Sequence, residues 1–270
     1  MLRAGGRAVI SVSPDGRWGG RVTSRPLPDA TEELAALDPA LREALSKVWW
    51  AQSATELRVA TSFEVVHRAL AGLDAEPALT ALAARAVDDE HRHAALCLEM
   101  AQRLHGGPLA APPPLPAQQP LHREARDEDE RRALFVIGQC ALNETFANAY
   151  LTTAYRDTTS PLARAAINEL LRDEIDHSRL GWAFLMTLPA ARRAQLSDWL
   201  VPLTLTNLRE WQQSATTHTH AYEAHGVPRA DDVREALAEV VRDVLVPGFA
   251  HVGFDVRALT AWCHAGMPTG

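Results

Sequence analysis

From Asp38-Pro39 onward, Leu41, Leu45, Val48, Val59, Phe63, Val66, Leu70 and Leu73 fall on one face of a 3.6-residue repeat, which predicts a first long helix. Glu76-Pro77 restarts the pattern, because proline suits the first helical position, and Leu79, Leu82, Ala86, Cys97, Met100 and Leu104 mark a second. A third stripe, Leu134, Ile137, Ala141, Ala147, Leu151 and Ala154, predicts a helix from about Glu128 to Asp157. The turn Thr158-Thr159-Ser160-Pro161 opens a fourth, with Ala163, Ile167, Leu170, Gly181, Phe184 and Leu188 on its face and Pro189 at its end.

Between the second and third helices, residues 106–120 carry six prolines and two glycines and cannot be helical. An extended strap of that length, at roughly 3 Å per residue, can cross a helix of about 40 Å, so the third helix can start from the same end as the second. The expected fold class is therefore all-α: a four-helix bundle over 38–188 with one long crossover. Residues 1–37 form an N-terminal arm, with a small hairpin predicted at 8–24 from Ala8-Val9-Ile10 and the Pro14-Asp15-Gly16 turn. Residues 189–270 form a helical extension packed on the bundle. Its predicted helices run from 190 to 220 with a kink at Pro202, from 230 to 245, and from 255 to 264.

Composition changes this picture little. The hydrophobic share of 47% and charged share of 23% are those of a folded chain, and the formal net charge of -7 with no basic stripe argues against nucleic acid. No run reaches the roughly 18 apolar residues of a membrane span, and the segment after Arg3 and Arg7 is too short and polar for a signal peptide. Cys97, Cys140 and Cys263 are isolated in sequence, without a CxxC pair, which fits a reducing cytoplasm.

The chemistry lies in a pattern that occurs twice. Glu56 on the first helix is followed on the second by Glu90-x-x-His93; Glu144 on the third is followed on the fourth by Glu174-x-x-His177. All six are in phase with the apolar stripes, so their ionisable groups point at the core. Four carboxylates facing one another in an apolar interior are tenable only if neutralised, and two divalent cations neutralise four carboxylates. Glu and His three apart offer oxygen and nitrogen to one ion, so the residues predict a dinuclear site. Glu64 is the other candidate on the first helix, but it follows Phe63, about 100° off the stripe. His91 likewise falls on a different face from His93.

On these residues the chain resembles the ferritin-like di-iron carboxylate superfamily, across residues 40–188, with Asp89 to His93 and Asp173 to His177 as the most specific segments. The resemblance implies two iron ions, with manganese or a mixed iron–manganese pair as alternatives. It also implies that Asp89 holds His177 and Asp173 holds His93 by hydrogen bonds that set the imidazole tautomers. The activity implied is that of an oxidoreductase that activates dioxygen to hydroxylate, N-oxygenate or desaturate a small organic substrate, with an external electron donor. A ferroxidase or peroxide-scavenging role is the alternative, and the additions at both ends of the bundle favour a substrate pocket. A homodimer is the expected assembly.

Leu170 stands where an amine-oxidising branch of that superfamily carries an extra histidine ligand, so none is expected there. The second helix has no tyrosine to form a stable radical, and Tyr150 and Tyr155 read as core or pocket residues. His218, His220 and His225 read as solvated loop residues. Trp49, Trp50, Trp182 and Trp199 read as core or contact residues, with Trp182 a candidate for the pocket border. Cys97 and Cys140 read as small apolar side chains, Cys140 near the cavity.

Overall fold

A computed structural model describes residues 25–113, 116, 122–214 and 220–265, and every regular element among them is helical. The predicted hairpin at 8–24 lies outside the described residues. A short helix, α1 (Thr31–Ala36), precedes the first long one, α2 (Pro39–Gly72), whose N-terminus is capped by the Asp38 carboxylate accepting from the Ala40 and Leu41 amides, both at 3.0 Å. α3 (Pro77–His105) returns alongside it and stops at Gly106, whose φ of 85° suits glycine.

The described start of the proline-rich strap, residues 106–113, lies back along this hairpin. Trp50 donates its indole N–H to the Ala110 carbonyl at 2.9 Å, and the Gln102 side chain donates to the Leu109 carbonyl at 3.1 Å. α4 (Glu128–Val136) begins at the far end, where the Arg132 side chain donates to the carbonyl of Gly72, the last residue of α2. The third long run therefore points the same way as α3, and the four runs go up, down, down, up.

The third run is not a uniform helix. Between α4 and α5 (Glu144–Asp157), residues Ile137–Asn143 form a π-helical segment, which inserts an extra residue per turn and bulges the backbone. The bulge presses on α6 (Pro161–Thr187) at Gly181, where a β carbon would lie 2.4 Å from both the Ala141 nitrogen and the Cys140 carbonyl carbon. The apolar stripe through Leu134 and Ile137 gave no sign of this, because hydrophobic periodicity averages over a single extra residue.

The extension differs from expectation at Pro202. The chain breaks upstream, where α7 (Ala190–Leu196) gives way to a 3-10 turn at Ser197–Trp199. Pro202 then sits in the first turn of α8 (Leu200–Ser214), where its missing N–H would have had no intrahelical partner. After α9 (His220–Glu223) come α10 (Ala230–Val240), a second π-helical segment (Val241–Leu245) and α11 (Val246–His251), so this helical run extends past residue 245. α12 (Arg257–His264) closes the described chain. No helix of the described residues is long and apolar enough to cross a membrane.

Two apolar layers form the interior. One includes Phe63, Ala86, Phe146 and Leu180 and continues into the extension through Leu203, Leu237 and Phe249. The other includes Trp49, Leu96, Leu151 and Leu170 and takes in Leu27 and Leu34 of the N-terminal segment. Along each of the four long runs the chain passes from one layer to the other, and the predicted polar residues lie in between: Glu56 between Trp49 and Phe63, His93 between Ala86 and Leu96, Glu144 between Ala141 and Leu151, Glu174 between Leu170 and Leu180.

Candidate metal centre

Side chains from four helices meet at this level, and all six are buried, Glu56 being the most exposed at 6%. Ligand atoms of Glu56, Glu90, His93 and Glu174 lie within 4.8 Å of one another, as do those of Glu90, Glu144, Glu174 and His177. These buried groups can hold metal ions. Glu90 and Glu174 belong to both sets. His93 Nδ1 lies 3.5 Å from Glu90 and 3.4 Å from Glu174; His177 Nδ1 lies 3.0 Å and 3.4 Å from the same two carboxylates.

Both imidazoles turn Nδ1 inward and Nε2 outward. His93 Nε2 is 3.3 Å from Asp173, and His177 Nε2 is 3.6 Å from Asp89, each aspartate coming from the opposite helix. Both Glu90 oxygens, Glu174 Oε2, both Nδ1 atoms and His177 Nε2 are buried without a hydrogen-bond partner. Orphaned polar atoms of this kind cost about 1–3 kcal/mol each, more when charged. Carboxylate oxygen and imidazole nitrogen converging on one space form a donor set that fits divalent cations.

The electrostatics agree. Burial, and then the neighbouring carboxylates Glu90 and Glu174, push Glu56 and Glu144 well above the ordinary glutamate range. Burial disfavours the charged imidazoles, but the close acids around them win and raise both His93 and His177. Without cations, therefore, the cluster retains protons.

Outside the cluster stands a residue that the reading of the sequence missed. Arg92 is buried between the two aspartates, donating to Asp89 Oδ1 at 2.7 Å and in close contact with Asp173 Oδ2. Burial works against ionising Asp173, yet the hydrogen bond from His93 and the charge of Arg92 hold its carboxyl far below the usual range. The signal available was its place three residues after Asp89, on the same helix face. Arg85 adds a second cation, 3.3 Å from Asp89 and 3.4 Å from Asp176.

On the inner side, two glutamines hold the glutamates that belong to one set each. Gln52 donates to Glu56 and Gln139 to Glu144, both at 2.6 Å. Gln52 precedes its partner by four residues and Gln139 by five. The difference is the extra residue of the π-helical turn, which places Gln139 one turn before Glu144 as Gln52 is one turn before Glu56.

A cavity of about 580 Å³ reaches Glu56, Glu144 and Glu174 from the surface. Its walls are α2 and α5, closed over by Trp211 of α8, the Val227-Pro228 loop and Val233 of α10. The C-terminal extension thus shapes the pocket, while the described N-terminal residues pack on the other apolar layer. Trp211 went unremarked in the sequence; it donates its indole N–H to Asn143 Oδ1 at 2.9 Å and lies against Tyr150.

The remaining candidates resolve individually. Glu64 and His91 are exposed. Trp182 packs on Phe249 and Gly248, away from the cavity lining, and Cys140 is fully buried without lining it. Trp49 is core, and Cys97 is buried one turn after His93. His218 lies outside the described residues, while His225 is partly buried, 3.8 Å from Glu33, rather than solvated, because the loop folds onto α1 and α6. No protein-family model matches this chain, and no curated protein matches it.

Proposed function

We propose that this chain is a ferritin-like di-iron carboxylate oxidoreductase that uses dioxygen to oxidise a small organic molecule bound in the 580 Å³ cavity. The observation that supports this reading is the cavity's inner end, which is formed by Glu56, Glu144 and Glu174. An iron-storing or peroxide-removing site needs only a narrow path, whereas a half-enclosed space of this volume with apolar walls matches a small-molecule site.

Glu90 and Glu174, common to both donor sets, would bridge two ions, with His93 and His177 as the nitrogen ligands and Glu56 and Glu144 as the outer carboxylates. Iron in such a site would supply redox and Lewis-acid chemistry towards dioxygen. The protein's own part is positional. Asp173 fixes the tautomer of His93, Asp89 faces His177 Nε2 at 3.6 Å, Gln52 and Gln139 hold the outer carboxylates, and α8 and α10 cover the cavity. In hydroxylation one oxygen atom enters the substrate and the other leaves as water, with two protons and two electrons consumed. A one-electron carrier protein would provide those electrons, and the three free cysteines suit a reducing cytoplasm.

Anaerobic titration with ferrous iron tests the reading, with two irons per chain expected and a limited oxygen uptake that rises when substrate and reductant are added. Iron retained far beyond two per chain, or a large cage-like assembly, would favour iron storage. A chain that takes up no metal would refute both.

A further inference from the structure

The cavity's polar groups can be accounted for one by one. At its inner end Gln52 and Gln139 are spent on Glu56 and Glu144, and Asn143 lies between Trp211 and Glu144. Along α2 the Thr55 and Ser62 hydroxyls donate back to the carbonyls of Ala51 and Arg58. At the rim, Lys47 is paired with Glu43 in solvent, and Arg58 and Glu210 also have partners. None of these charged groups is a dedicated counter-ion for a ligand. Tyr150 differs. It lines the cavity with its ring 5.6 Å from that of Trp211, and no described residue hydrogen-bonds its hydroxyl. Burial above all pushes that phenol up to about 12, which keeps it neutral, and Tyr150 shares the cavity lining with Glu56 and Glu144.

We infer that the cavity takes a neutral, largely hydrocarbon molecule bearing one oxygen function, an alcohol, ketone or phenol, and that the Tyr150 hydroxyl hydrogen-bonds that oxygen beside the acid cluster. This inference rests on the cavity being the substrate site of the reading above. The hydrocarbon body lies along Val48, Leu151, Pro228, Val233 and the Trp211 ring, which offer surface and no spare donors or acceptors. With the inner carboxylates Glu56, Glu144 and Glu174 neutralised by two divalent cations, a charged head group would lose its hydration without gaining a partner, and that desolvation is the basis of selection. The carbon nearest the oxygen function is then the one presented to Glu56, Glu144 and Glu174.

Four probes with one hydrocarbon body test it: 4-tert-butylphenol, 4-tert-butylbenzoate, 4-tert-butylbenzylammonium and tert-butylbenzene. Calorimetric titration uses the full chain, both zinc-loaded, where no oxidation occurs, and metal-free. In the zinc-loaded chain the phenol should bind at least tenfold more tightly than either charged probe. Tyr150→Phe should weaken the phenol about three- to tenfold, the worth of one hydrogen bond, and leave tert-butylbenzene unchanged. Ala51→Trp, at an exposed position of the cavity lining, should abolish binding of both while zinc uptake stays normal. Tighter binding of either charged probe, an unchanged phenol affinity in Tyr150→Phe, or no probe binding to a folded chain overturns the inference. Failure to take up zinc or iron overturns the dinuclear reading instead, and the ranking of phenol over benzoate is still read on the metal-free chain.

Discussion

Gly181 of α6 and Ala141 of the π-helical turn touch backbone to backbone, so that a β carbon at 181 would come within 2.4 Å of the Ala141 nitrogen. The contact lies one turn beyond His177 and one turn before Glu144, and so fixes the distance between the two helices at the acid cluster. Because the neighbour is main chain rather than a flexible side chain, Gly181→Ala must push the helices apart. We expect a loss of about 2–3 kcal/mol in urea unfolding, at the upper end for overpacking, together with weakened metal binding. A variant with unchanged midpoint and metal affinity would show that the helices yield freely there.

Arg92 neutralises two buried aspartates, of which Asp173 hydrogen-bonds His93 and Asp89 lies 3.6 Å from His177. Arg92→Met should cost about 3–5 kcal/mol, the usual penalty for leaving a buried charge without its partner, and should lower metal affinity at both histidines. Arg92→Lys should recover part of the stability but less of the affinity, since an ammonium cannot span both carboxylates in the plane of a guanidinium. Thermal denaturation and metal titration of the two variants separate these effects.

The metal-free chain should depend on pH in a definite sense. Glu56 and Glu144 are raised from 4.5, and His93 and His177 from 6.5, so their contributions are present below those ordinary values and lost as pH rises through the raised ones. Asp173 and Glu174 are lowered, so theirs is present above the ordinary carboxylate values and lost as pH falls. With chelator present, Tm should therefore peak at about pH 4.5–5.

A divalent cation removes the need for those protons, so its effect on Tm should be larger at pH 8 than at pH 5.5. At a concentration about 100 times Kd the gain is about 2.7 kcal/mol, or roughly 5–10 °C for a chain of this size. Scans with chelator, zinc and ferrous iron check both statements; a chelated protein most stable at pH 8 would contradict them.

Trp211 connects the extension to the cluster through Asn143, whose amide faces Glu144 at 3.4 Å. Trp211→Phe keeps a ring on the cavity wall but leaves Asn143 Oδ1 without its donor. We expect about 1 kcal/mol of destabilisation and a measurable change in the absorption spectrum of the cobalt-substituted protein, because Asn143, the weaker of the two amides on Glu144, loses its anchor. An identical cobalt spectrum would show that α8 only covers the cavity.

The sequence by itself determined the helices and the level of the cluster. Helix starts at Pro39, Pro77 and Pro161, the stripes between them, and the proline-rich crossover are local signals, set by backbone sterics and by which residues prefer burial. The same logic placed Glu56 inside and Glu64 outside, since a helix converts spacing into direction. Only the tertiary structure decided what surrounds those six residues. The π-helical turn depends on Gly181 arriving from another helix, Arg92 acquires its second aspartate across a helix pair, and the cavity exists because Trp211, Pro228 and Val233 fold back over the bundle. Periodicity reports which face of a helix is buried, whereas each of these features depends on which other segment covers that face, a long-range packing outcome that local spacing does not encode.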